Sequence, residues 1–150
     1  EKILSIMRDA RIGAIGAIGI TLLLIFKFAM LSNFPCNSMF KTLILSCVFS
    51  RWAQVYGCVS CEYARQAGKG KNFIKYASKN ELMIAGLFTF AVFALLARTK
   101  GMIIFAVSTI VIFLFVRWIK KRLGGMTGDT VGAVNETAEA LILLAGLVIS

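Results

Sequence analysis

Histidine is absent from this chain, proline occurs once, and carboxylates are scarce, seven against seventeen lysines and arginines. Without histidine, the Cys58–Cys61 CxxC has no second ligand pair, so a structural zinc site would lack two of its ligands. Cys36 and Cys47 complete the cysteine set, and small buried thiols in a reduced setting are the expected state of all four. The lone proline, Pro35, and the lack of any Ser/Pro-rich tract exclude a flexible linker, which predicts a single domain over residues 1–150. A small-residue cleavage pattern is also missing after the first apolar stretch, so no signal peptide is expected. The opening residues EKILSIMRDARIG lack a start methionine and read as a helix already under way. The chain is therefore expected to belong to a longer protein.

What the sequence has in excess is apolar surface. Hydrophobic residues make up 59% of the chain and the mean hydropathy is +0.83. A soluble fold of this length could bury a good core but could not hide so much apolar area. Lipid is the implied solvent for much of it. Five apolar stretches follow one another, at 12–31, 42–60, 82–97, 102–118 and 131–150. Each is about 17–20 residues, the length a bilayer demands of a helix. The predicted fold class is all-α, a multi-pass transmembrane bundle of about five helices.

The formal charge of +10 does not point to nucleic acid, because the basic residues cluster between apolar runs rather than along one amphipathic face. Counted by alternate loops, one side receives Lys2, Arg8, Arg11, Arg65, Lys69, Lys71, Lys75, Lys79, Arg117, Lys120, Lys121 and Arg122. The other side receives Lys41, Arg98 and Lys100, while Lys27 and Arg51 fall inside apolar runs. The positive-inside rule then places the crowded side and the N-terminus in the cytoplasm and the C-terminus outside.

Within this frame the most specific stretch is GGMTGDTVGAVNETAE, residues 124–139. Gly124, Gly125, Thr127 and Gly128 precede a helix, with Asp129 at the junction. Such a loop lets backbone N–H groups approach a phosphate, aided by the positive end of the helix. Gly132, Glu136 and Glu139 share one face of that helix. Ionised carboxylates at membrane depth need a partner, which a magnesium ion or a basic side chain would supply. The bland reading makes Asp129 a plain N-cap and the glutamates an ion-paired helix contact.

Arg51, in SRWAQVYG, lies near the middle of the second apolar run. It is open to three partners: Glu136 or Glu139, or a substrate phosphate gripped in bidentate fashion. The loop YARQAGKGKNFIKYASK, residues 63–79, sets Arg65 before Gly68-Lys69-Gly70-Lys71, and by itself it reads as a topology determinant. Arg8, Asp9 and Arg11 read as an interfacial anchor, and Gly13, Gly16 and Gly19 as a surface for close helix packing.

Three blocks taken in order, MRDARIGAIGAIGITLLLIFKFAML, SRWAQVYG with YARQAGKGKNF, and GGMTGDTVGAVNETAEALILL, resemble the cobalamin synthase family, the adenosylcobinamide-GDP ribazoletransferases. The resemblance covers essentially the whole chain and corresponds to the C-terminal part of such a protein. It implies a multi-pass, magnesium-requiring enzyme of cobalamin biosynthesis in the cytoplasmic (inner) membrane. A hydroxyl of α-ribazole, or of its 5′-phosphate, attacks the corrinoid-bound phosphate of adenosylcobinamide-GDP, and GMP leaves. Carried over by motif, the implied catalytic residues are Asp129, Glu136 and Glu139. The implied phosphate-binding set is Arg51, Arg65, Gly68, Gly70, Gly124, Gly125, Thr127, Gly128 and Gly132. The metal would sit on Asp129, Glu136 and Asp9. Gln66 and Ala67 follow Arg65 where the family carries an Arg-Pro pair, and the family's upstream acid-rich block is not in this chain, which is expected to be inactive alone. Self-association into a homo-oligomer is left open. The alternative reading is a transporter or channel segment, with Lys27, Arg51, Glu136 and Glu139 lining a polar pathway. A third reading, transfer of phospho-groups to lipid alcohols, shares the same physics.

Overall fold

The computed structural model describes residues 13–64 and 71–149. Five helices account for nearly all of them: α1 (Ala14–Ser32), α2 (Cys36–Ser60), the short α3 (Lys71–Tyr76), α4 (Lys79–Leu123) and α5 (Gly128–Ile149). Among the described residues no strand forms, as an all-α bundle requires. Three helices are long and apolar enough to cross a membrane: Ala14–Ser32, Lys79–Leu123 and Gly128–Val148.

The third and fourth apolar runs were expected as two helices separated by a loop. They form two helices that meet without an intervening loop at a kink on one non-helical residue, Arg98, at φ 49° and ψ −139°. The consequence is a hairpin. The rings of Phe93 and Phe105 lie 5.3 Å apart although twelve residues separate them, and a straight helix would hold them about 18 Å apart. A Cβ on Gly101 would meet Ala97 and come within 3.2 Å of the Phe93 carbonyl, so the turn closes only with glycine there. The two arms of α4 thus act as the two spans expected at 82–97 and 102–118.

Sequence explains where α4 begins and ends. At its start Ser78 Oγ accepts from the Glu81 N–H at 3.4 Å, and the Glu81 carboxylate accepts from the Ser78 N–H at 2.8 Å, a reciprocal capping box. At its end Lys120, Lys121 and Arg122 offset the negative end of the helix, and Gly124 adopts φ 75° as the left-handed cap.

The bundle is organised around α2. This 25-residue helix is long enough to cross but less apolar than the other three. Its buried small residues line the seam with α5: Ser46 and Ser50 donate to Glu139, and Ala53 shares the core with Val134, Ala138 and Ile142. Seams of this kind let membrane helices approach closely, where dispersion rather than hydrophobic burial holds them together. On its other flank Phe49, fully buried, packs edge-on against Phe93 and Phe105 of the α4 hairpin. Helix α1 lies at the outside, tied down by Met30 and Phe34 against Leu143. Its Gly13 and Gly19 face open space, so the close packing expected of that glycine stripe is not made with the described residues.

The two ends of the bundle are distinct. Lys120 Nζ donates to the Ser60 carbonyl at 3.1 Å, which joins the ends of α2 and α4. Lys41, Lys100 and Gly146 gather at the opposite end. The described basic residues therefore separate between the two ends as the loop count predicted.

Candidate functional site

The two motifs singled out in the sequence are joined by backbone. Ala64 N–H donates to the Met126 carbonyl and Met126 N–H to the Glu62 carbonyl, both at 2.8 Å, in a one-rung parallel bridge. The glycine loop is thereby pinned beside the start of the basic loop. Gly125 is obligatory at this contact, because a Cβ would strike the Glu62 carbonyl and come within 3.1 Å of the Ala64 nitrogen. Met126, fully buried, seats its methyl where only Gly57 leaves room.

Thr127, also fully buried, is the residue before α5. Its N–H donates to Thr130 Oγ1 at 2.8 Å, and its Oγ1 accepts from the Thr130 N–H at 3.3 Å. Thr127 is therefore the N-cap, which corrects the reading of Asp129 in that place. Asp129 is exposed in the first turn of α5. Gly128 and Gly132 have open space where a Cβ would stand, so packing does not demand glycine at either position.

The start of α5 opens onto a cavity of about 850 Å³. Gly128 and Val131 form one wall, Arg51, Gln54 and Cys58 of α2 a second, and Tyr76 and Glu81 a third. Arg51 is exposed and donates to Gln54 Oε1 at 3.0 Å. Among the described residues it has no carboxylate partner, so pairing with Glu136 or Glu139 is ruled out. Those glutamates belong to Lys27, whose ammonium donates to Glu136 Oε2 at 2.6 Å and Glu139 Oε2 at 2.8 Å. Asn135 Nδ2 at 2.9 Å and Ser50 Oγ at 3.4 Å also donate to Glu139. The sequence left a metal ion or a basic side chain open as the partner of these glutamates, with Arg51 among the candidates, and the structure supplies Lys27.

The site residues thus divide into two groups. Arg51, Gly128 and the adjoining Gly124, Gly125, Thr127 and Asp129 gather at the cavity end, whereas Glu136 and Glu139 lie deeper along α5 with Lys27. Arg65, Gly68, Gly70 and Asp9 lie outside the described residues. Gln54, Tyr76 and Glu81 were missed, since nothing in their local sequence separates them from ordinary helix and loop residues. Of the cysteines, Cys58 and Cys61 are buried as expected, while Cys36 and Cys47 are exposed, and all four are free thiols. Burial pushes the Cys61 thiol up, with Lys120 pulling partly the other way.

Asp129, Glu136 and Glu139 do not together form a magnesium site among the described residues. Asp129 stands seven residues before Glu136, about 10 Å along the axis of α5. The two glutamates are already engaged by Lys27, and among the described residues no three acidic, cysteine or histidine side chains gather around one point.

A helical bundle with three helices long and apolar enough to cross a membrane, and a cavity where an arginine stands beside a helix N-terminus, defines a membrane protein of the polytopic helical class. The chain belongs to the cobalamin-5-phosphate synthase family, whose model matches residues 1–148. It is similar to proteins named adenosylcobinamide-GDP ribazoletransferase, at 37% identity in Roseiflexus sp. (strain RS-1), covering 95% of this chain and 53% of that one. The protein of that name from Acetivibrio thermocellus is 35% identical, covering 96% of this chain and 58% of its own. That from Alkaliphilus metalliredigens is 35% identical over 100% of this chain and 59% of its own. The chain therefore spans between about half and three-fifths of the length of these relatives. No solved structure matches it.

Proposed function

We propose that the chain supplies part of the active site of an adenosylcobinamide-GDP ribazoletransferase. The observation that carries this reading is the shared cavity of Arg51 and the α5 N-terminus, about 850 Å³ in volume. Phosphoryl transfer asks for positioning and charge neutralisation more than covalent catalysis. Arg51 supplies a guanidinium free of any described carboxylate, and the first turn of α5 supplies N–H groups at the positive end of the helix. A phosphate bridging the two would have its developing charge met by the guanidinium on one side and the helix N–H groups on the other. A ribazole hydroxyl attacks the corrinoid-bound phosphorus, a new P–O bond forms there, and the bond to the GMP oxygen breaks. The hydroxyl proton leaves for solvent or a nearby carboxylate, and GMP departs.

Magnesium, which the family resemblance implies, enters the proposal through Asp129 at the cavity end, since Glu136 is committed to Lys27. The crowding of basic residues at the cavity end supports a cytoplasmic location for that end, in the inner membrane, where GDP-linked substrates are made.

GMP release is the test, measured in membranes carrying the chain within its complete reading frame, with adenosylcobinamide-GDP and α-ribazole 5′-phosphate. Arg51→Leu is expected to lower kcat/KM by about 100-fold or more, the scale of losing one charge-stabilising donor, while insertion is unchanged. Release that survived Arg51→Leu undiminished would remove the cavity from the reaction.

A further inference from the structure

Four residues of α2 line the cavity, Arg51, Gln54, Val55 and Cys58, and their i, i+3, i+4 and i+7 spacing puts them on one face of the helix. The first two are bonded to each other, with Arg51 Nη1 donating to Gln54 Oε1 at 3.0 Å. Glu81, from the first turn of α4, lines the same cavity. A guanidinium and a carboxylate are strong partners, yet among the described residues Arg51 and Glu81 make no ion pair. Each is held by a neutral group within a turn of its own helix. Gln54 accepts from the guanidinium, and the Ser78 N–H donates to Glu81 Oε2 at 2.8 Å in the capping box. Two bonds on separate walls thus keep a cation and an acid of one cavity apart.

We propose that Gln54 is a positioning residue, which keeps the Arg51 guanidinium available to an anionic group by holding it away from Glu81; the inference rests on the ribazoletransferase reading of the cavity. The chemistry of the side chain suits that role. A glutamine carbonyl engages one of the five guanidinium N–H groups and compensates none of its charge. Glutamate in its place would bind Arg51 more strongly but neutralise the charge that a phosphate needs. An apolar residue would leave Arg51 with no acceptor on its own helix, while Glu81 remains in the cavity as a competing partner. Arg51 is exposed and Gln54 half-buried, so packing alone does not fix the arginine and the hydrogen bond does. An arginine that spends much of its time on Glu81 lowers the apparent affinity for an anion by that fraction. A phosphate once bound still meets the same guanidinium, so the loss falls on KM rather than kcat.

GMP release by the chain within its complete reading frame, in membranes, tests the role. Gln54→Leu is expected to raise KM for adenosylcobinamide-GDP at least tenfold and to change kcat less than threefold. Damage to folding would instead lower the amount of active enzyme, hence kcat, and leave KM where it was. Adding Glu81→Gln keeps the capping box, because glutamine serves at that position too. The Gln54→Leu/Glu81→Gln protein is expected to recover a KM within threefold of that of Glu81→Gln alone. Gln54→Glu preserves an acceptor for Arg51 and is nevertheless expected to raise KM tenfold or more. An unchanged KM in Gln54→Leu, an increase that Glu81→Gln does not relieve, or a wild-type KM in Gln54→Glu would each overturn the positioning role. Those results leave the ribazoletransferase reading standing wherever the parent releases GMP and Arg51→Leu impairs that release. A parent without GMP release, or an Arg51→Leu protein that matches it, would overturn that reading and this inference together.

Discussion

Removing the Lys27 ammonium would leave Glu136 and Glu139 facing each other in the bundle with Asn135 and Ser50 as their remaining donors. Breaking a buried pair by deleting one partner is costly because the other charge stays behind in a poor solvent. The contact is only partly shielded, with Glu136 45% and Glu139 22% exposed. Lys27→Met is therefore expected to cost about 2–4 kcal/mol, below the fully buried limit, read as thermal unfolding in detergent. Glu139→Gln should cost more than Glu136→Gln, and the reverse order would show that the network is held by Glu136. At the bridge, Gly125→Ala forces Cβ into the Glu62 carbonyl, with an expected loss of about 1–3 kcal/mol. Because the bridge carries the 62–64 segment, that change should also slow GMP release. An unaltered rate in a destabilised Gly125→Ala protein would mean that the bridge serves folding alone.

The elements were largely legible in the sequence, since a run of apolar residues as long as a bilayer is thick has few other uses. The runs at 12–31 and 131–150 became α1 and α5 with boundaries shifted by a few residues. The hairpin was legible as two runs with Arg98 and Lys100 between them, but its tight bend was not, because it rests on an arginine at positive φ, a conformation that no local pattern announces. Nor was the partner of the glutamates. Lys27 stands 109 and 112 residues from them, and only the packing of α1 on α5 selects it over Arg51. Of the site, the glycine loop was readable because glycine and threonine at a helix start have few alternative roles. Tyr76 and Glu81 were not, since they reach the cavity only through the fold. The bend itself is testable. A left-handed non-glycine residue carries about 1–2 kcal/mol of strain, so Arg98→Gly is expected to be neutral or slightly stabilising. Arg98→Val, with a branched Cβ at φ 49°, should lower stability by about 1–2 kcal/mol. Equal stability of the two variants in a chemical unfolding series would indicate that the turn relaxes away from positive φ.

At the scale of the whole molecule, the segregation of charge between the two ends fixes how the protein should sit in its membrane. Lys75, Lys79, Lys120, Lys121 and Arg122 lie at the cavity end, and Lys41 and Lys100 at the other. Cys36, exposed at the start of α2, marks the second end with a natural thiol. A membrane-impermeant maleimide applied to intact cells should label it. Cys61, near the first end, is buried with its thiol pushed up by that burial, so it stays protonated at neutral pH and reacts slowly from either side. Lys121→Cys provides the reporter that Cys61 cannot, and in a Cys36→Ser background it should be labelled only after the membrane is opened. The opposite pattern would place the arginine cavity outside the cell. A donor carrying GDP would then have to cross the membrane to reach Arg51, and the ribazoletransferase reading would lose its supply of substrate.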